Sequence, residues 1–230
     1  MEEDIHRYTG EEVDVTYDVN RCIHVKACVE GLPEVFDPDE RPWIQPDNAD
    51  SEAVTDVIMD CPTGALHFES ADGDLEEPVP EENRISVVPD GPLYLHGEIE
   101  IETPDGESLL SDTRVALCRC GASGNKPLCD NSHADIGFVD DATVDDGESV
   151  TDDEPPDDTL HLTPIPSGPC LVGGTVEIEG ADGAAVSGTE TALCRCGASD
   201  TKPFCDGTHN EVGFSGEDTG DVNRTGEERL

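Results

Sequence analysis

Apolar and polar residues alternate strictly over residues 13–20 (Val-Asp-Val-Thr-Tyr-Asp-Val-Asn), the two-residue period of a half-buried strand. Residues 21–29 lose that alternation and predict a short helix ended by Gly31 and Pro33. Residues 32–37 and 41–45 follow as a turn and a short strand. Ser51 stands where an N-cap belongs, ahead of a helix whose apolar face is Val54, Val57 and Ile58; Pro62 stops that helix beside Cys61. Two more alternating runs, 85–88 and 93–101, flank the turn Pro89-Asp90-Gly91-Pro92. The same layout returns at 160–163, Ser167-Gly168-Pro169 and 171–178, with Gly173 and Gly174 marking a bulge or a close approach.

The recurrence is not confined to strands. Residues 116–133 and 192–209 agree at thirteen of eighteen positions at an offset of 76, so the chain contains an internal duplication. Cys118, Cys120, Cys129 and His133 return as Cys194, Cys196, Cys205 and His209, with the spacing C-x-C-x8-C-x3-H unchanged. Both sulfurs of the C-x-C pair reach one metal from an extended turn, while Cys129 and His133, four residues apart, stack on one face of a helical turn that Asp130 is placed to cap. Three thiolates and one imidazole make a four-point metal site, and by ligand count alone tetrahedral zinc suits it as well as iron.

Composition makes metal important to folding. Only 34% of the 230 residues are hydrophobic and 4% aromatic, so the small units implied by the duplication bury little, and ligand binding must add to their stability. Formal net charge is −43, from 55 acids against 12 bases, a field that repels phosphate backbones and anionic headgroups and leaves no role in nucleic-acid or membrane binding. Acids spread along the whole chain, with Lys26, Lys126 and Lys202 the only lysines, match adaptation to concentrated salt, which screens self-repulsion. An acidic surface for basic partners is the alternative. The first residues carry neither the basic nor the apolar segment of an export signal, so a cytoplasmic location is expected, where clustered cysteines hold metal more often than they pair.

Residues 69–83 are acidic and contain Pro78 and Pro80, a linker signature. Residues 140–159 hold ten acids and no Lys or Arg, which predicts a solvated, extended linker, and the polar tail predicts fraying. Cys170, aligned with Leu93 at an offset of 77, is expected in an apolar core slot. His6, His67, His96 and His161 belong to no motif.

The pattern C-R-C-G-x-S-x-x-K-P-[LF]-C-D-x-[ST]-H resembles the CDGSH iron-sulfur domain family of mitoNEET-like proteins. That resemblance implies a β-rich fold and a [2Fe-2S] cluster on each quartet, and two copies in one chain resemble forms that pair as an intramolecular pseudo-dimer. Thr208 replaces Ser in the second copy; Asn131 replaces Gly in the first, a residue that tolerates left-handed backbone. The N-terminal Cys22-x5-Cys28, followed by Cys61-Pro62, resembles a divergent single-cluster ferredoxin of bacterial type, with Val25 where such proteins place a middle cysteine. Three thiolates imply a [3Fe-4S] cluster, or a [4Fe-4S] cluster whose fourth iron takes His24 or a small exogenous ligand.

The expected architecture is α+β and multi-domain: a ferredoxin-like domain over 1–77, CDGSH domains over 84–139 and 160–216, an acidic linker over 140–159 and a disordered tail over 217–230. The expected function is single-electron carriage between redox partner proteins, without catalysis. Cluster donation to apo-acceptors or redox and pH sensing, and a zinc-stapled interaction module, are the alternatives.

Overall fold

The computed structural model describes residues 4–70, 77–144, 150–151 and 158–216. The expected tail over 217–230 and parts of both acidic linkers lie outside them. The protein is mostly β with few helices.

Strands β1 (Ile5–Tyr8) and β2 (Val13–Asp18) pair antiparallel, and β2 also pairs with β3 (Leu66–Ser70). Between β2 and β3 run the short helix α1 (Ala27–Gly31), a 3-10 turn Pro46–Asn48 and helix α2 (Ser51–Met59). The alternation of β2 drives Val13 and Val15 into a core with Val35, Phe36, Ile44, Val54, Ile58 and Phe68. Each such side chain taken from water contributes about 1.5–3 kcal/mol. Trp43 closes this core edge-on against Tyr8 and Tyr17.

Three details depart from expectation. The helix predicted over 21–29 begins only at Ala27, because His24 and Lys26 adopt left-handed backbone (φ 57° and 69°) and wind residues 22–26 into a loop. The N-cap of α2 is Asp50, whose carboxylate accepts from Ala53 N at 3.0 Å, and not Ser51. Residues 41–45 give one bridge, Phe36 to Ile44, and no strand.

The duplicated half forms one sheet. The first repeat supplies β4 (Arg84–Val87), β5 (Leu93–Glu102), β6 (Ser108–Leu117) and helix α3 (Ser132–Ile136); then come β7 (Val150–Thr151) and the second repeat's β8 (Leu160–Pro164), β9 (Cys170–Glu179) and β10 (Ala185–Leu193). In each repeat the long strands make an antiparallel hairpin that ends at the first cysteine. The short leading strands are shared. Ile85 of β4 sits opposite Leu95 of its own repeat, antiparallel, and opposite Ile178 of the other, parallel. Leu162 of β8 sits opposite Val172 of its own repeat and Ile101 of the other in the same two senses. One apolar core, including Ile85, Leu95, Ile101, Leu162, Val172 and Ile178, therefore draws on both repeats.

The start of the expected acidic linker is packed. Asp140 pairs with buried Arg119, Ala142 and Val144 enter the core, and Val150–Thr151 add a short edge strand to β10. Charge density hid two apolar teeth and a counter-ion. Cys170 is 2% exposed and lies in the same core as Leu93, as the alignment of the repeats required. Gly174 is a close approach: a Cβ there would fall 2.3 Å from the carbonyl oxygen of Thr159.

Candidate metal centres

Each repeat builds its quartet in the same way. The hairpin delivers Cys118 at the end of β6, and the chain folds back so that Cys118 N donates to Pro127 O (2.9 Å) and Cys129 N to Ala116 O (2.8 Å). The second repeat repeats both bonds at 2.8 Å, from Cys194 N to Pro203 O and Cys205 N to Ala192 O. Ser123 Oγ, buried in the loop, donates to Leu128 O at 2.7 Å, and Ser199 Oγ to Phe204 O at 2.7 Å. The N-cap of α3 is Asn131 and not Asp130, whose carboxylate instead accepts from Ser132 N (3.1 Å), at the first helical residue, and from Gly124 N (2.8 Å). Asn131 takes the left-handed conformation (φ 71°) that Gly207 takes in the second copy (φ 90°).

Arg119 lies between Cys118 and Cys120 with its side chain fully buried. It donates to Gly91 O (2.8 Å), Val88 O and Asp140, and its guanidinium stacks 5.1 Å from the Phe138 ring centre. Arg195 repeats the anchoring to Ile165 O (2.9 Å) and stacks on Phe214. The identity of Arg, Ser, Lys and Asp in both copies was the available sequence signal for these supporting groups.

Sulfur and nitrogen positions divide each quartet into two chelating pairs. Cys118 Sγ and Cys120 Sγ are 3.7 Å apart, and Cys129 Sγ lies 3.5 Å from His133 Nδ1. The second copy gives 3.6 Å for Cys194 and Cys196, and 3.4 Å for Cys205 and His209. Two ligands on one tetrahedral metal, at about 2.3 Å for sulfur and about 2.0 Å for nitrogen, would stand about 3.8 Å (S and S) or about 3.5 Å (S and N) apart. Both pairs fit. Each quartet thus presents one Cys-Cys pair and one Cys-His pair at the spacing of two ligands on a metal.

Electrostatics agree with a cationic guest. Burial, with Cys118 nearby, pushes the Cys129 thiol up to about 12, and burial also raises Cys205. Within the tight Cys118 and Cys120 pair, the shared hydrogen bond lowers the first thiol and raises the second. Burial and then Arg119 hold His133 below the usual histidine range, in the neutral form that binds metal.

Cys22, Cys28 and Cys61 line one pocket with His24, Lys26, Tyr17 and Pro62, enclosing about 360 Å³ of space between atoms, its mouth included. Burial and then Cys61 push Cys28 up to about 11, while burial and a hydrogen bond to Cys22 raise Tyr17. Thiols that repel one another as anions in a partly buried pocket suit a multivalent cationic cluster. His24 Nδ1 is 3.8 Å from Cys22 Sγ, so the loop brings this imidazole to the pocket; Val25 is 45% exposed.

Sequence reasoning missed a charged cluster beside this pocket. Arg21 donates to Asp112 Oδ2 (2.5 Å); Arg114 donates to Glu77 Oε2 (2.6 Å), to Leu66 O (3.0 Å) and to Ile58 O; and His67 bridges Glu77 (3.0 Å) and Asp112 (3.1 Å). These groups join the N-terminal domain to β6 of the first repeat. Scattered from residue 21 to residue 114, they leave no local pattern.

Comparison with known proteins agrees with the geometry. Residues 8–70 match the family described as divergent 4Fe-4S mono-cluster, and residues 90–134 and 167–210 each match the iron-binding zinc finger of CDGSH type. The protein YjdI of Escherichia coli K12 and its counterpart in Escherichia coli O157:H7 are both 43% identical to this chain over 61 residues, 26% of this chain and 80% of each relative. No solved structure matches the chain.

Proposed function

Because the chain belongs to the divergent [4Fe-4S] mono-cluster family through its N-terminal domain and carries two CDGSH-type iron-binding domains behind it, we propose that it is a three-centre carrier of single electrons. Cys118, Cys120, Cys129 and His133 hold one [2Fe-2S] cluster and Cys194, Cys196, Cys205 and His209 a second. Cys22, Cys28 and Cys61 hold the third, for which the family description favours four irons over three. The observation that carries the reading is that both quartets fall in segments matching the iron-binding CDGSH-type family, each with a Cys-Cys and a Cys-His pair at the spacing of two ligands on a metal.

The clusters supply one-electron redox chemistry; the protein sets where it lies. One neutral imidazole per quartet in place of a thiolate makes each centre less negative, which favours the reduced form. Backbone N–H groups aimed at sulfur, Asn131 to Cys129 (3.4 Å) and Ala198 to Cys196 (3.5 Å), act in the same direction. The reciprocal strand sharing supports an intramolecular pseudo-dimer of the two CDGSH domains. No helix among the described residues is long and apolar enough to cross a membrane; the acid-rich composition suits a salt-rich cytoplasm and redox partner proteins, and no substrate chemistry is assigned.

Iron, zinc and acid-labile sulfide assays with EPR on protein purified without oxygen in high salt test the assignment. Sulfide with two irons per quartet is expected; a colourless, folded, zinc-loaded protein would replace the carrier with a stapled interaction module. Reversible cycling without iron loss separates a carrier from a cluster donor.

A further inference from the structure

Residues that flank two of the ligand sets touch one another. Ile23, next to Cys22, is buried against Ala116 and the ligand Cys129, with Tyr94 packed on the same group. Arg21, on the other side of Cys22, crosses to the first repeat, donating to Arg114 O (2.7 Å) and Asp112, and ties back to Thr63 O (2.9 Å), two residues beyond Cys61. Asn125, in the loop between Cys120 and Cys129, donates to Asn20 O at 2.8 Å. Tyr94 lies in the fields of both Cys129 and Cys61. All of these contacts run to the first repeat. The second repeat meets the first at the ligand loops themselves: a Cβ on Gly121 would fall 2.7 Å from Cys196 O, and one on Gly197 2.7 Å from Cys120 O.

The charged cluster around Arg114 and His67 joins the same two domains separately. Electronic coupling decays roughly exponentially with distance and more steeply across a gap than through packed atoms. We propose that the three centres are wired in series, with Ile23 and Tyr94 as the junction between the N-terminal centre and the first CDGSH-type centre, and the Gly121 and Gly197 loops as the second junction. The proposal rests on the electron-carrier reading. A reduced one-electron carrier protein gives up a single electron and is itself oxidised by one equivalent; the electron crosses the junctions with no bond made or broken and leaves to a one-electron acceptor.

The test uses full-length chains that retain one CDGSH-type centre, through Cys205→Ala or Cys129→Ala, each with and without Cys61→Ala to remove the N-terminal centre. Iron and sulfide content verify which centres remain. In the fully reduced state, the N-terminal centre is expected to raise the EPR half-saturation power of the first CDGSH-type centre several-fold and that of the second much less. Equal effects on both, or none on the first, overturn the serial order. In the otherwise unaltered chain, Ile23→Ala with Tyr94→Ala should slow electron arrival at the first centre after flash reduction several-fold, with iron content retained; an unchanged rate overturns the junction. Centres that are loaded but take up no electron from dithionite sink the carrier reading itself, whereas centres that reduce normally without this coupling sink only the wiring.

Discussion

Gly121 sets its bare Cα against the carbonyl of Cys196, and Gly197 does the same to Cys120, so each ligand loop is seated on the other. Both glycines have positive φ (83° and 77°), and a Cβ on either would meet backbone at 2.7 Å. Gly121→Ala therefore costs about 1–2 kcal/mol from left-handed backbone alone, and the clash adds to it. Since the clash falls on the second repeat, visible absorbance from both quartets should fall in this single variant. Loss confined to the first would show that the loops do not bear on each other.

Gly64 makes a comparable close approach where the N-terminal domain meets the first repeat. Its φ is 62°, and a Cβ would sit 2.3 Å from Arg114 O and 2.2 Å from the Arg21 guanidinium. Gly64→Ala should lower the unfolding midpoint and loosen the N-terminal domain from the first repeat, read as faster proteolysis or hydrogen exchange near residues 58–67. A backbone strain of roughly 1–3 kcal/mol is expected.

The charged seam should respond to alkali. Burial opposes charge on His67, but hydrogen bonds to Asp112 and Glu77 outweigh it and raise its pKa to about 9 from 6.5. A raised histidine stabilises fully below its unfolded value and loses that contribution as pH climbs through the folded one. Stability should thus fall by about 3 kcal/mol between pH 6.5 and pH 10. His67→Gln should flatten this part of a denaturation profile; an equally steep profile in the variant would assign the effect elsewhere. Asp112 and Glu77, both held below the ordinary carboxylate range despite burial, add an opposite loss in acid.

Arg119 is fully buried with Asp140 as its counter-charge, and Lys202 of the second repeat stands 3.7 Å from the same carboxylate. Asp140→Ala strands a buried guanidinium, at a cost of roughly 3–5 kcal/mol. Urea unfolding followed by circular dichroism and by cluster absorbance together should show both signals lost at lower denaturant.

Histidine ligation makes a last prediction. An imidazole must shed its proton to bind metal, so acid should release His133 and His209 before the thiolates. Cluster absorbance should decay faster at pH 5.5 than at pH 8, and His133→Cys with His209→Cys should remove most of that difference. Equal decay rates in the unaltered protein would count against imidazole ligation.

What the sequence by itself determined is local. Cysteine and histidine spacing, the helical turn behind Cys129, the αL position at Asn131 and the alternation of β5 and β9 all depend on residues within a few positions of one another, where stereochemistry leaves few choices. Strands β6 and β10, the loop through His24 and the packed start of the linker escaped because weak alternation, a pocket-shaped backbone and dense acids masked them. Only the tertiary structure decided which strands pair. Ile85 finds an apolar partner in Leu95 and another in Ile178, and since the repeats carry matching edges, no local pattern ranks own hairpin against sister hairpin. The seam of Arg21, His67, Glu77, Asp112 and Arg114 was equally invisible for the same physical reason: charges are stable in a buried interface only when the folded chain gathers their partners from afar.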